Sequence, residues 1–156
     1  MGQSTDAILF YGYAYDDDGA TPWGSSNDEE PDDEDWEARY ARLRGEAEPD
    51  VPYGDEKSGV MTPARELHQA HWARKRALVA ACPVEVGTHC SGECPMYYIA
   101  KRSTVTLARR GGPARILSLS APVGADEELH AFMTEMGIAK PPGQEAPGWW
   151  LVSDWN

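Results

Sequence analysis

The stretch VEVGTHC, residues 84–90, alternates its side chains with a period of two, and it decides the fold class. That period is typical of a β-strand, in which successive side chains point to opposite faces of a sheet. Pro83 and Gly92 bound the stretch, as turn-forming residues do at strand ends. We therefore predict a strand here. The residues predicted to share one face are Val84, Val86, Thr88 and Cys90.

Working outward, other segments are rich in β-branched and aromatic residues and are separated by glycine and proline. These features predict further strands. The predicted strands cover residues 7–13, 96–101, 104–108, 114–119 and 149–155. The strand at residues 84–90 and the next three follow one another without a helix between them, which favours antiparallel pairing over a doubly wound parallel sheet.

Three helices are predicted from apolar residues that recur every three to four positions. They cover residues 35–44, 63–81 and 125–136. Asp32 and Asp33 are predicted to cap the first helix, and Thr62 with Pro63 begins the second. The apolar stripe predicted for the second helix consists of Leu67, Ala70, Ala77, Leu78 and Ala81. Arg74 interrupts that stripe, so its charge is either paired or at the surface.

These elements predict an α+β protein, with two to three helices packed on a mainly antiparallel sheet of five to six strands. The length of 156 residues suits one domain over residues 1–156, with an acidic loop at about residues 16–35. No apolar run reaches the roughly 20 residues that span a bilayer, and no signal peptide is evident. Three clustered cysteines do not suit a secreted disulfide framework, so we expect a cytoplasmic protein.

The acidic residues are concentrated in the first third of the chain. Residues 1–56 hold 17 Asp and Glu against three Arg, whereas residues 57–156 hold nine against eleven Lys and Arg. Residues 28–37, DEEPDDEDWE, contain eight carboxylates. Ten helical residues span about 15 Å, and duplex DNA carries about nine charges over that length. The run therefore favours a protein partner with a basic surface over nucleic acid or a membrane. The alternative is a solvated loop that only aids solubility.

The residues predicted to contact such a partner are the eight acids of that run and two aromatic residues. They are Asp28, Glu29, Glu30, Asp32, Asp33, Glu34, Asp35, Trp36, Glu37 and Tyr40. In the predicted helix, Trp36, Tyr40 and Leu43 lie on one face and would dock the segment.

Cys82, His89, Cys90 and Cys94 are weak candidates for a zinc site, since zinc favours nitrogen and sulfur ligands. The spacing lacks a Cys-x-x-Cys pair, and His89 and Cys90 point to opposite faces of the predicted strand. We therefore predict no metal and no cofactor, with a buried Cys90, Cys94 in a turn and His89 at the surface. A cysteine-dependent enzyme is a further alternative, although no general base is placed beside a thiol.

His68 and His71 lie on one side of the second predicted helix. Two ligands at this spacing can share a metal, but no third ligand accompanies them. We interpret them as solvated histidines or as histidines at the edge of the core.

Three stretches, STDAILFYGY at residues 4–13, HCSGECPM at residues 89–96 and GWWL at residues 148–151, carry a resemblance. The chain resembles a group of small, mostly uncharacterised proteins encoded by bacteriophages and prophages. The resemblance supplies no catalytic residues. It implies a protein that binds host machinery and inhibits or modulates a nucleic-acid-handling or defence complex, in the manner of a DNA mimic or an anti-CRISPR protein. The expected location is then the host cytoplasm, and the expected function is non-enzymatic.

Overall fold

The computed structural model describes residues 6–16, 21–23, 35–54, 61–109, 112, 114–116 and 119–155. Over these residues the chain forms three α-helices and five strands, so the predicted α+β class is confirmed. The elements are β1 (Asp6–Ala14), α1 (Trp36–Leu43), α2 (Pro63–Ala81), β2 (Val84–Ser91), β3 (Pro95–Lys101), a 3₁₀ turn (Arg102–Thr104), β4 (Thr106–Ala108), α3 (Ala125–Met136) and β5 (Gly148–Trp155). None of the described helices combines the length and the apolarity that crossing a membrane requires.

The chain divides into two compact units. The strand unit contains Met1–Asp32 and Pro83–Asn156, and the helical unit contains Asp33–Cys82. The prediction of a single domain over residues 1–156 stays a prediction.

The strand predicted at residues 114–119 is wrong at the positions the structure describes. Residues 114–116 and 119 have no regular secondary structure, and all four are exposed. A stable strand buries at least one face and pairs with a neighbour. These residues do neither, although alternating apolar residues gave them a strand-like pattern.

The pairings in the strand unit form a closed ring. β1 lies antiparallel to β5 along Asp6–Gly12, and on its other side it pairs with β4 and then with β3. β2 is antiparallel to β3, and its last two residues pair in parallel with the end of β5. The ring runs β1, β3, β2, β5 and back to β1, with β4 beside β1. β1 is therefore central, as predicted.

An apolar cluster fills one face of this sheet. Phe10 and Tyr98 stack with their ring centroids 4.5 Å apart, and neither ring is exposed to a significant extent. Ile8, Ala14 and Ala100 complete the buried cluster. Partly buried side chains from β5 and the segment before β4 pack against it; these are Val105, Trp150 and Val152.

Gly12 allows β1 and β3 to approach each other closely. A Cβ atom at this position would overlap the carbonyl oxygen of Ile99 on β3. Since that oxygen belongs to the backbone, no side-chain rotation could relieve the overlap. Any larger residue at Gly12 must push the two strands apart.

The opposite face of β1 holds α3 and the segment after it through tyrosine hydroxyls. The Tyr11 hydroxyl donates to Asp126 Oδ1 at 2.9 Å, and the Tyr13 hydroxyl lies 2.9 Å from His130 Nε2. Tyr15 donates to the carbonyl oxygen of Ala139, also at 2.9 Å. The tyrosines lie at alternate positions, so one face of the strand carries all three contacts. Burial is the main cause that raises the pKa of each hydroxyl, which keeps all three hydroxyls protonated.

In the helical unit, α2 buries a face different from the predicted one. Leu67 is 52% exposed, and the alanines of the predicted stripe are exposed as well. The buried residues of α2 are Arg65, His68 and His71. This polar stripe is covered by the segment between the first two helices, and it can be buried because its members have partners there. The predicted apolar stripe was wrong because it consisted mainly of alanines, which occur on exposed as well as on buried helix faces.

Candidate functional site: the start of α1 and the adjoining pocket

α1 begins at Trp36, and the residue before it, Asp35, is the last acid but one of the acidic run. The Asp35 side chain accepts a hydrogen bond from the backbone of Ala38, with Oδ1 2.6 Å from the nitrogen. This is the N-cap geometry, which satisfies one of the free backbone donors at a helix start. The predicted caps, Asp32 and Asp33, lie outside the described residues, and the cap is Asp35 instead. Glu37 follows in the first turn, where the helix dipole favours a negative charge.

The apolar side of α1 is buried in the helical unit. Tyr40 is 3% exposed and Ala41 is fully buried, whereas Leu43 of the predicted face is 43% exposed. Trp36 is half-buried, and its ring lies 6.5 Å from that of Tyr40. The guanidinium of Arg44 lies 4.6 Å from the centroid of the Tyr40 ring. Tyr40 therefore supports the helix, and Trp36 is the more accessible of the two predicted aromatic contacts.

A salt bridge ties the start of α1 to α2. Lys75 Nζ lies 3.3 Å from Asp35 Oδ1. The Asp35 side chain is 63% exposed, so the pair adds little stability by itself. Its effect is positional, because it holds the capping carboxylate at a defined place on the surface of α2.

Glu46 joins the segment after α1 to the buried side of α2. Its Oε1 accepts a hydrogen bond from His71 Nδ1 at 2.9 Å, and its Oε2 accepts one from Arg74 Nε at 2.7 Å. The Glu46 side chain is 16% exposed and that of His71 is 6% exposed, whereas that of Arg74 is 58% exposed. The hydrogen bonds from Arg74 and His71 hold the pKa of Glu46 below its ordinary value. Arg74 is thus both paired and at the surface.

The next residues of the same segment rest on His68 and its aromatic neighbours. His68 Nε2 lies 2.8 Å from the carbonyl oxygen of Val51, and the ring is 5% exposed. The Tyr53 ring lies 5.4 Å from His68 and 5.3 Å from Trp72. The guanidinium of Arg65 lies 5.2 Å from the Tyr53 centroid. His68 and His71 are therefore buried positioning groups, and the expectation of solvated or edge histidines does not describe them.

Replacing Glu46 with glutamine should make stability less sensitive to acid. A carboxylate whose pKa is depressed on folding stabilises the protein above its unfolded pKa of about 4.3, and this contribution is lost as the pH falls through the folded pKa. We expect wild type to be more stable than Glu46→Gln at pH 7 and the difference to shrink towards pH 3. Urea unfolding at both pH values measures it. Arg74→Gln removes the hydrogen bond that lowers the pKa of Glu46 most, so it should also make stability less sensitive to acid. If wild type and Glu46→Gln differed in stability by the same amount at pH 7 and pH 3, the depressed pKa of Glu46 would be contradicted.

A pocket of about 460 Å³ lies between α1, the segment that follows it and α2. Its lining includes the Asp35–Lys75 salt bridge and the Glu46–His71 pair described above. The lining residues are Asp35, Ala38, Arg42, Glu46, Glu48, His71, Trp72 and Lys75. Of these, the sequence indicated only Asp35 as a contact residue. The others come together through tertiary packing, with Glu46 and His71 25 positions apart in the chain.

The cysteine and histidine candidates for a metal site are not brought together. Cys82 is buried, Cys90 is half-buried and Cys94 is exposed, and all three thiols are free. Across the described parts of the chain, no group of three or more His, Cys, Asp and Glu side chains is arranged to hold a metal ion. Cys90 has a φ of 77°, a left-handed conformation that is uncommon for residues other than glycine.

His89 lies half-buried, although the sequence predicted it at the surface. Its Nε2 is buried without a hydrogen-bond partner among the described residues. Burial lowers the pKa of His89, while a hydrogen bond to the backbone of Tyr15 and the charge of Asp154 act against that shift. The ring is thus favoured in its neutral form, in which Nε2 carries a lone pair.

The remaining predicted contact acids, from Asp28 to Glu34, lie outside the described residues. Asp35, Trp36, Glu37 and Tyr40 are described, and they form the cap and the first two turns of α1. Comparison of the chain with family models, with curated proteins and with solved structures gave no match.

Proposed function

We propose that this is a non-enzymatic binding protein that docks against a basic host protein. Its partner would be part of a nucleic-acid-handling or defence complex of a bacterium, and the protein would inhibit or modulate it as a DNA mimic or an anti-CRISPR protein does. The observation that supports the proposal is the start of α1. The acidic run leads directly into a capped helix whose apolar side is buried.

A helix held in this way gives the acids a fixed point of attachment. Asp35 is both the cap of α1 and the partner of Lys75, and Glu37 lies in the first turn of the helix. Fixed charges recognise a partner with a smaller loss of conformational entropy than charges on a free loop. Trp36 would supply the aromatic contact, since tryptophan is enriched at the centres of binding surfaces.

The charge distribution also supports a basic partner. Ten of the 26 acids lie in residues 17–18, 28–34 and 55–56, outside the described residues. The described part of the helical unit is close to neutral, with seven Lys and Arg against six Asp and Glu. The negative charge is thus densest in these segments, and attraction by such a segment speeds association and is weakened by salt.

Reversing three acids of the run should abolish partner capture. The variant Asp32→Lys, Asp33→Lys, Glu34→Lys leaves the capping residue Asp35 intact, so α1 is retained. The tagged protein is used to capture partners from a bacterial lysate at about 50 mM and about 200 mM salt, a range over which phosphate-like contacts lose much of their affinity. We expect wild type to capture a basic nucleic-acid-binding protein at low salt only, and the variant to capture none.

A control variant tests whether capture depends on where the acids lie or only on the net charge of the protein. Glu93→Lys, Glu127→Lys, Glu145→Lys changes the net charge by the same amount at exposed positions outside the run. It should retain capture. Equal capture by wild type and the run variant would refute the proposal, as would equal loss in both variants.

A further inference from the structure

The pocket beside α1 has one charged group that is not committed to a neighbour. Asp35 is paired with Lys75, and Glu46 is bound by His71 and Arg74. Arg42 also lines the pocket and has an interaction of its own. Glu48 lines the pocket and is exposed, and no side-chain partner within the described residues is found for it. The pocket therefore offers an unpaired negative charge.

An aromatic ring lines the same pocket as that carboxylate. Trp72 lines the pocket and is 41% exposed. Its ring is held by two neighbours, since Tyr53 lies 5.3 Å and His68 5.8 Å from it between centroids. His68 is itself bound to the Val51 carbonyl, which fixes this arrangement to the backbone. Trp72 is thus an exposed aromatic ring that is already positioned before any ligand arrives.

A carboxylate and a fixed tryptophan that line one pocket are chemically suited to a guanidinium group. Arginine combines a permanent positive charge with a flat surface that stacks on aromatic rings, and it can bind a carboxylate through two hydrogen bonds. The volume of about 460 Å³ lies in the range of small-ligand pockets, so a single side chain can enter it.

We propose that this pocket binds an arginine side chain of the basic partner, with Glu48 accepting its hydrogen bonds and Trp72 stacking on its plane. This inference rests on the proposed function and gives it a specific anchor. The acidic run would supply long-range attraction, and the pocket would fix the position of one arginine once the two proteins meet.

The first test uses a small probe and the full chain. N-acetyl-arginine methylamide is titrated into ¹⁵N-labelled protein, with the uncharged N-acetyl-citrulline methylamide as its isosteric control. We expect the arginine probe alone to shift the Trp72 indole resonance and the amide resonances of α1 and of the segment that follows it. Shifts of equal size with both probes, or shifts only elsewhere, would overturn the inference.

The second test uses two variants that leave the acidic run intact. Glu48→Gln should weaken arginine binding about tenfold, and Trp72→Ala should weaken it roughly three- to thirtyfold. Asp50→Asn, an exposed acid of the same segment that does not line the pocket, should have no effect. Glu48 is exposed and unpaired, so Glu48→Gln is expected to fold; a far-UV spectrum checks both pocket variants.

Partner capture separates this inference from the proposed function. If both hold, Glu48→Gln and the Asp32–Glu34 reversal each weaken capture. If the reversal abolishes capture while Glu48→Gln leaves it unchanged, the pocket inference is refuted and the proposed function stands. If neither variant weakens capture, both are refuted.

Discussion

Replacing Gly12 with alanine should lower the free energy of unfolding by about 3 kcal/mol, at the upper end of the usual cost of overpacking. A Cβ atom at this position would overlap the Ile99 carbonyl oxygen, which is backbone and cannot rotate away. The substitution must therefore separate β1 from β3 where Gly12 pairs with Ala100. Urea unfolding followed by far-UV circular dichroism measures the loss.

The matched control for this substitution is Gly92→Ala. Nothing lies within 4 Å of the position that a Cβ atom would take at Gly92, and its φ is not in the left-handed range. We expect its stability to stay within about 0.5 kcal/mol of wild type. If Gly12→Ala lowered the free energy of unfolding as little as Gly92→Ala, the close approach of β1 and β3 at Gly12 would be contradicted.

Phe10→Ala should destabilise the protein by about 3–5 kcal/mol, the range for removing a buried aromatic ring. Phe10 is fully buried and stacks on Tyr98, so its removal leaves a cavity inside the closed ring of strands. Thermal and urea unfolding with the aromatic near-ultraviolet signal would report both the lost stability and the loosened packing of Tyr98.

Leu151→Ala is the control for Phe10→Ala. Leu151 lies on β5, which pairs directly with β1, but its side chain is 72% exposed. Little apolar surface leaves water when it folds, so the cost should be a few tenths of a kcal/mol. Comparable losses from the two substitutions would contradict the assignment of the inner face of the sheet.

Local signals were enough to place the helices. α2 begins with the Thr62 cap and Pro63 and covers Pro63–Ala81, as predicted, and α3 is followed by Gly137 in a left-handed conformation. The start of α1 was harder, because Asp32, Asp33 and Asp35 are all good capping residues. In the structure Asp35 is the cap, and the helix that it starts buries Tyr40 and Ala41 through tertiary contacts.

Strand pairing and burial depended on partners that lie far away in the sequence. The predicted strand at residues 114–119 had the right pattern, but residues 114–116 and 119, which the structure describes, pair with no neighbouring strand. Leu67 and the alanines of α2 suggested one buried face, whereas the segment containing Glu46 and Val51 covers another. No short-range pattern indicates which histidine will meet that segment, since the contacts join residues 17 and 25 positions apart.

The candidate site was predictable in its acidic run and in the helix that follows. The density of acids in residues 28–37 is visible in the sequence, and the spacing of Trp36 and Tyr40 predicted the helix at whose start Asp35 and Glu37 lie. Glu48 and Trp72 could not be predicted as a pair. They line one pocket because Glu46 and Tyr53, on either side of Glu48, both contact α2.

The alternating tyrosines of β1 bear on the order in which the chain folds. β1 precedes the other described elements in the chain, but Tyr11 and Tyr13 contact residues 115 and 117 positions later, and Ala14 contacts Gln144, 130 positions later. Within the described residues of the helical unit, the side-chain hydrogen bonds span at most 40 positions, as between Asp35 and Lys75. Contacts between distant residues form slowly because a long loop must close first. We therefore expect amides of α2 to gain protection from hydrogen exchange before those of β1 in a pulse-labelled refolding experiment, although β1 precedes α2 in the chain.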